Sequence, residues 1–207
     1  MTPDLPRFSA ASGLLAGLFL TVAGFVNIFT GKTAGTAFLI ALAPALALPL
    51  LVAVFHQRNA DVPGVFGPVA YGFNLLGLGL FSGAAFTIDT ALFYLSTPVR
   101  DQLKHEPTLA ALLGSAALFA VGSVLFGVFL LRTRAYPRLL CLAYIVFPAL
   151  LAGLSPLPDS PLKNAIHGLT GLTVAWLAVT LWRTTPARPP RPAAAARPPV
   201  PLDNRSS

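Results

Sequence analysis

Six apolar runs separated by short polar connections leave this chain few ways to fold. They cover residues 8–30, 33–55, 65–95, 108–131, 139–154 and 164–182. About 20 apolar residues, at 1.5 Å each, carry a helix across ~30 Å of hydrocarbon. In lipid, backbone polar groups must be satisfied within the spanning segment, which favours helices. Only 10% of the residues are charged, against about 25% in a soluble domain, so water cannot be the main solvent. The expected fold is all-α: a polytopic integral membrane bundle of six helices over residues 1–183. A Pro/Ala/Arg-rich tail, 184–207, has little to bury and is expected to be disordered.

Local composition refines each run. In the first, Gly13, Gly17 and Gly24 fall on one face with Thr21 between them, a small-residue stripe that lets helices approach closely in lipid. Gly31 and Lys32 make a very short turn, so the first two helices are expected to be antiparallel neighbours. Pro44 and Pro49 interrupt the second helix, and each frees a carbonyl one turn earlier. The fourth run carries Ser115, Gly122, Ser123 and Gly127 for close packing. The fifth is short and has Pro148 near its middle, and the sixth ends at Trp182 beside Arg183 as an interfacial anchor would.

The net charge of +7 invites a nucleic-acid reading, but the basic residues lie between the apolar runs and in the tail. That is the pattern of loops facing an anionic leaflet, and nucleic acid is not expected as a partner. With six crossings, one side holds Arg7, Arg58, Arg132, Arg134, Arg138, Arg183, Arg188, Arg191, Arg197 and Arg205. The other holds Lys32, Arg100, Lys104 and Lys163, so ten of the 14 basic residues share a side. The positive-inside rule then places both termini in the cytoplasm of a cell whose plasma (inner) membrane the chain crosses. The lipid bilayer is the expected partner, with anionic headgroups at the basic tail and at the Arg132–Arg138 connection. The excess of Ala, Leu, Pro and Arg over Lys points to a GC-rich bacterial genome. A lone cysteine, Cys141, forms no internal disulfide, and no Cys/His spacing implies a metal or another cofactor.

The run 65–95 alone carries a charge, Asp89, together with Asn74 and Ser82. As one helix it would span about 46 Å, so its last turns should leave the hydrocarbon and bring Asp89 to the outer interface. There it would face water or pair with Lys163 or Arg100. A carboxylate at the bilayer centre would cost roughly 2.5–3.5 kcal/mol on insertion scales. His167 and Asn27 each lie about 6 Å below the same face. Asn27, Ser82, Asp89 and His167, from the first, third and sixth helices, are therefore the candidate outer polar pocket. Ser82 and Asp89, seven apart, would share a helix face. Asn74 is a mid-membrane polar contact. One intramembrane histidine is too few for a bis-histidine haem, and Asp89 with His167 is too short a series for a proton relay.

The segment Phe81-Ser82-Gly83-Ala84-Ala85-Phe86 resembles the serine motif of rhomboid-type intramembrane proteases, which implies Ser82 as nucleophile and His167 as base. It departs from their Gly-x-Ser-Gly pattern, reading Leu80-Phe81-Ser82-Gly83, and lies on the third helix rather than the fourth. The second half of the chain is similar to a broad family of uncharacterised bacterial polytopic membrane proteins of six to seven helices. A small-residue helix ends in LFGVFLL, a basic turn leads to Tyr136-Pro137-Arg138, with the Pro-Arg pair opening the fifth helix, and a last helix closes the bundle. That resemblance covers residues 14–182 and implies a fold type with no assigned site residues.

The leading expectation is a non-enzymatic binding or accessory membrane component. A transporter or ligand-binding bundle using the outer pocket is the first alternative; a long, water-filled cavity reaching past Asn74 would favour it, and a dry, closed bundle would count against it. The serine hydrolase is the remote one.

Overall fold

The computed structural model describes residues 4–96, 98–99, 102 and 107–185. The described residues form no strand, and six helices organise them: α1 Asp4–Thr30, α2 Ala34–Arg58, α3 Phe66–Phe86, α4 Pro107–Thr133, α5 Arg138–Leu154 and α6 Pro161–Thr184. Five are long and apolar enough to cross a membrane, α3 together with the turns that carry it to Tyr94. The exception is α5, whose 17 residues span only about 25 Å. The expected tail lies outside the described residues, apart from Thr184 and Thr185, as do Arg100 and Lys104 of the third connection.

Several ends differ from the sequence expectation. Among the described residues helix α1 already runs from Asp4, ahead of Phe8, and includes Pro6, which a helix tolerates near its N-terminus because the missing N–H has no partner to lose there. Ser160 accepts from the Lys163 amide at 3.2 Å and caps α6, with Pro161 at its first position. Between α1 and α2, Gly31 takes the left-handed conformation (φ 69°) and its N–H reaches the Asn27 carbonyl at 3.1 Å. Thr33 and Thr36 then cap each other reciprocally at the start of α2.

The largest departure is in 65–95, which is not one α-helix. After Phe86 the chain winds through a π-turn, Thr87–Ala91, and a 3-10 turn, Leu92–Tyr94. The Thr87 hydroxyl donates to the Gly83 carbonyl (2.9 Å) and the Thr90 hydroxyl to the Phe86 carbonyl (2.5 Å). Such back-bonding by threonine perturbs the regular ladder.

Each helix packs on the next, and α6 closes on α1, giving a ring of six. Two seams of that ring are set by glycine. A Cβ on Gly17 would lie 2.6 Å from the Gly171 carbonyl, and Gly24 abuts the Gly168 backbone, so the α1 stripe meets α6 with backbones nearly touching. At the second seam, Gly77 of α3 faces the Phe119 backbone and Gly122 of α4 faces the Asn74 backbone, each with only 2.6 Å for an added Cβ. Gly13 turns instead toward Leu50 of α2. The Ser12 hydroxyl donates to the Leu46 carbonyl at 2.7 Å, on the stretch of α2 between Pro44 and Pro49.

The ring has two unlike halves. Where Arg58, Arg132 and Arg134 lie, its interior is filled by Val54, Phe126, Phe129, Leu130, Leu140 and Leu181. Phe55 stacks on Tyr71 with centroids 4.1 Å apart. Arg58 sits over Tyr136 at 5.6 Å and Arg132 over Phe66 at 4.1 Å, closing that end with cation–π contacts. Burial holds the Tyr136 phenol above its ordinary pKa, while Arg58 beside it acts in the opposite sense. At the other end Ala16, Ala43, Pro44, Ala47 and Ala85 line the interior between larger side chains such as Leu20, Ile40 and Phe81, and space stays open between them.

Candidate functional site

The open half is a cavity of about 700 Å³ to which all six helices contribute, within the ~300–1,000 Å³ range of small-molecule sites. Its floor is formed by Ala16, Ala47, Leu78, Phe119 and Val174. Lys32, Asp89, Asp159 and Lys163 surround its mouth. From Lys163 to Val174 along α6 is about 16 Å of helix, and Asn27 to Ala16 along α1 is the same. The cavity thus occupies one half of the ring and ends one helical turn short of Asn74.

Of the residues singled out in the sequence, Asn27, Asp89 and His167 line this cavity, and Ser82 does not. Ser82 is half-buried at the edge of the lining face of α3. No hydrogen bond joins it to His167 among the described residues, so the geometry gives the hydrolase no support. Ser82 and Asp89 were expected to share an α-helical face, but the i→i+5 winding of Thr87–Ala91 shifts the register between them.

Asp89 consequently turns inward. It is 5% exposed and forms an ion pair with Lys32, on the turn between α1 and α2. It was expected to meet water, Lys163 or Arg100. Lys163 is engaged elsewhere: its ammonium donates to the carbonyls of Leu157 (2.7 Å) and Ser155 (3.2 Å) and lies 3.4 Å from the Asp159 carboxylate. It thereby holds the end of α5 to the start of α6. The mouth carries two cations and two anions, each matched locally.

The uncharged groups are less fully used. Asn164 Nδ2 donates to the Asn27 carbonyl at 3.2 Å, tying α6 to α1. The Asn27 side chain itself is 3% exposed, and neither its Nδ2 nor its Oδ1 has a partner among the described residues. His167 Nδ1 lies 2.9 Å from the Lys163 carbonyl. A carbonyl only accepts, so Nδ1 carries the proton and Nε2 of the neutral ring is an acceptor. The Thr170 hydroxyl is engaged by the Ile166 carbonyl at 2.8 Å.

Asn74 lies below the floor, where its Nδ2 donates to the Tyr144 hydroxyl at 2.9 Å, linking α3 to α5. Ser123, fully buried on α4, has no partner for its hydroxyl among the described residues. Sequence reasoning missed Lys32, Asp159, Lys163 and Asn164 as cavity residues. The available signal was that the Gly31-Lys32 turn and the 155–163 connection lie at the same end of the bundle as Asp89.

No group of three or more His, Cys, Asp or Glu side chains among the described residues is placed to hold a metal ion. No protein-family model matches the chain, and no curated protein or solved structure matches it either.

Proposed function

We propose that this chain is a multi-pass membrane protein that binds a lipophilic small molecule in the open half of its ring, as a non-enzymatic binding or accessory component. The observation that carries this reading is the one-ended cavity, apolar in its depth and polar at its mouth, to which every helix contributes. A sealed bundle would have filled that space with large side chains, as the opposite half does with Phe126 and Phe129. Conduction from one face to the other is not favoured, because the cavity stops above Asn74 and the packed core lies below.

In this reading α5 completes a bundle of six crossings, shortened by its own length. The arginine-rich end, with Arg132, Arg134 and Arg138 exposed, faces the cytoplasm and its anionic headgroups in a cell (inner) membrane. The cavity then opens toward the outer leaflet.

The test is binding of a solvatochromic naphthalene probe to protein in lipid nanodiscs. Wild type should bind it with a blue shift, and Ala43→Trp, which places an indole in the cavity wall, should lose it while keeping its helical circular dichroism. Equal binding by the two, or no binding by wild type, rejects the cavity as a ligand site.

A further inference from the structure

The polar groups at the cavity mouth define which class of molecule the cavity would accept. Resting on the binding reading above, we infer that the ligand is an uncharged single-chain amphiphile whose head both accepts and donates a hydrogen bond, as a monoacylglycerol does.

Charge is the first discriminator. Lys32 is held by Asp89, and Lys163 by Asp159 and two carbonyls. An anionic or cationic head would enter without a counter-ion unless it broke one of these pairs, and at Lys32–Asp89 that would strand the buried carboxylate of Asp89, which is 5% exposed. An unpaired buried charge is the most costly arrangement available at such a site.

Hydrogen bonding is the second. The Asn27 carboxamide is buried against the cavity with its donors and its acceptor both unused. Leaving buried donors and acceptors unsatisfied is costly, and a head group seated there removes that cost. His167, which also lines the cavity, is left with an acceptor at Nε2 by the Nδ1 bond to Lys163. The ligand must therefore supply an acceptor to Asn27 Nδ2 and a donor to His167 Nε2. An ester carbonyl with a neighbouring hydroxyl supplies both. A quinone supplies only acceptors, and a hydrocarbon supplies neither.

Shape is the third. Below these two residues the walls are apolar, with Leu20, Ile40, Leu78, Phe81, Phe119 and Val174. A depth of about 16 Å and a volume of about 700 Å³ accommodate one acyl chain and are too small for a two-chain phospholipid.

The experiment is displacement of the naphthalene probe from protein in nanodiscs by monododecanoylglycerol, dodecanoate, dodecyltrimethylammonium and dodecane. Monododecanoylglycerol should displace it at least tenfold more effectively than the other three. Asn27→Leu and His167→Phe should each reduce that advantage about tenfold, with binding of the probe itself retained. Asn27→Leu also replaces an unpartnered amide by an isosteric apolar group, so its melting temperature should not fall, whereas a merely structural asparagine would lower it. Equal displacement by all four compounds, or an advantage unchanged in both variants, overturns the head-group assignment while the cavity remains a binding site. Stronger displacement by dodecanoate that is lost in Lys32→Met overturns it in favour of an anionic ligand. Failure of all four to displace a probe that Ala43→Trp also still binds removes the binding reading itself.

Discussion

Lys32 and Asp89, brought together from the α1–α2 turn and the π-turn after α3, form an ion pair across the mouth of the cavity. The carboxylate is nearly buried and the ammonium partly so. Breaking a fully buried pair by removing one partner costs roughly 3–5 kcal/mol, whereas replacing both with apolar groups is often neutral. With Lys32 19% exposed, Asp89→Leu and Lys32→Met should each destabilise by about 1–3 kcal/mol. The double variant should recover most of that loss. Unfolding of the four proteins in detergent gives the coupling energy directly, and additive effects would show that the two side chains do not sense each other.

The glycine seams make a second prediction. At Gly77 an added Cβ would meet the Phe119 backbone at 2.6 Å, whereas at Gly79, two residues on, nothing lies within 4 Å. Overpacking of this kind costs about 1–3 kcal/mol. Gly77→Ala should therefore lower the melting temperature in detergent, and Gly79→Ala should leave it level or raise it slightly, since alanine is the better helix former by about 1 kcal/mol. Equal effects at the two positions would mean that α3 and α4 do not meet along this face.

Below the cavity floor, Tyr144→Phe removes the acceptor of the Asn74 Nδ2 donor. Interhelical hydrogen bonds in membrane proteins average about 0.6 kcal/mol and reach ~1.7, and full burial of Asn74 places this one toward the upper end. A stability loss of about 1–1.5 kcal/mol is expected, with probe binding in the cavity retained. Loss of probe binding at unchanged stability would show instead that Asn74 and Tyr144 contact the bound molecule.

Orientation is testable in the native background, because the chain has a single cysteine and Cys141 is buried. Leu157→Cys lies at the cavity end and Val65→Cys at the arginine end, both at exposed positions. A membrane-impermeant maleimide should label Leu157→Cys in intact cells and Val65→Cys only after permeabilisation. The reverse pattern would place the cavity on the cytoplasmic side.

How much of this was legible in the sequence depended on whether the α-helical period held. The stripe Gly17–Thr21–Gly24 was visible by counting, and it lies against α6, with Thr21 Oγ1 donating to the Gly17 carbonyl at 2.7 Å. Asn27 and His167 were placed near the same end by the same count, and both line the cavity. The count failed where the winding changed. Past Phe86 a period of 3.6 no longer applies, so Ser82 was grouped with Asp89 and the inward turn of Asp89 was missed. The hydroxyls of Thr87 and Thr90 were the only local hint, and threonine in an apolar run is too common to be read that way alone. The pairing of Lys32 was illegible for a different reason: it joins a turn to a segment far along the chain, and no period connects the two.

The local pairing of charge at the mouth has an electrical consequence. Among the described residues, Lys32 with Asp89 and Lys163 with Asp159 sum to no net charge around the cavity. A membrane potential does work of about 2.3 kcal/mol per elementary charge per 100 mV, and it has no net charge to act on when these pairs move as units. Occupation of the cavity by an electroneutral molecule would therefore proceed equally well in polarised and depolarised membranes, with filling set by partition from the lipid rather than by voltage.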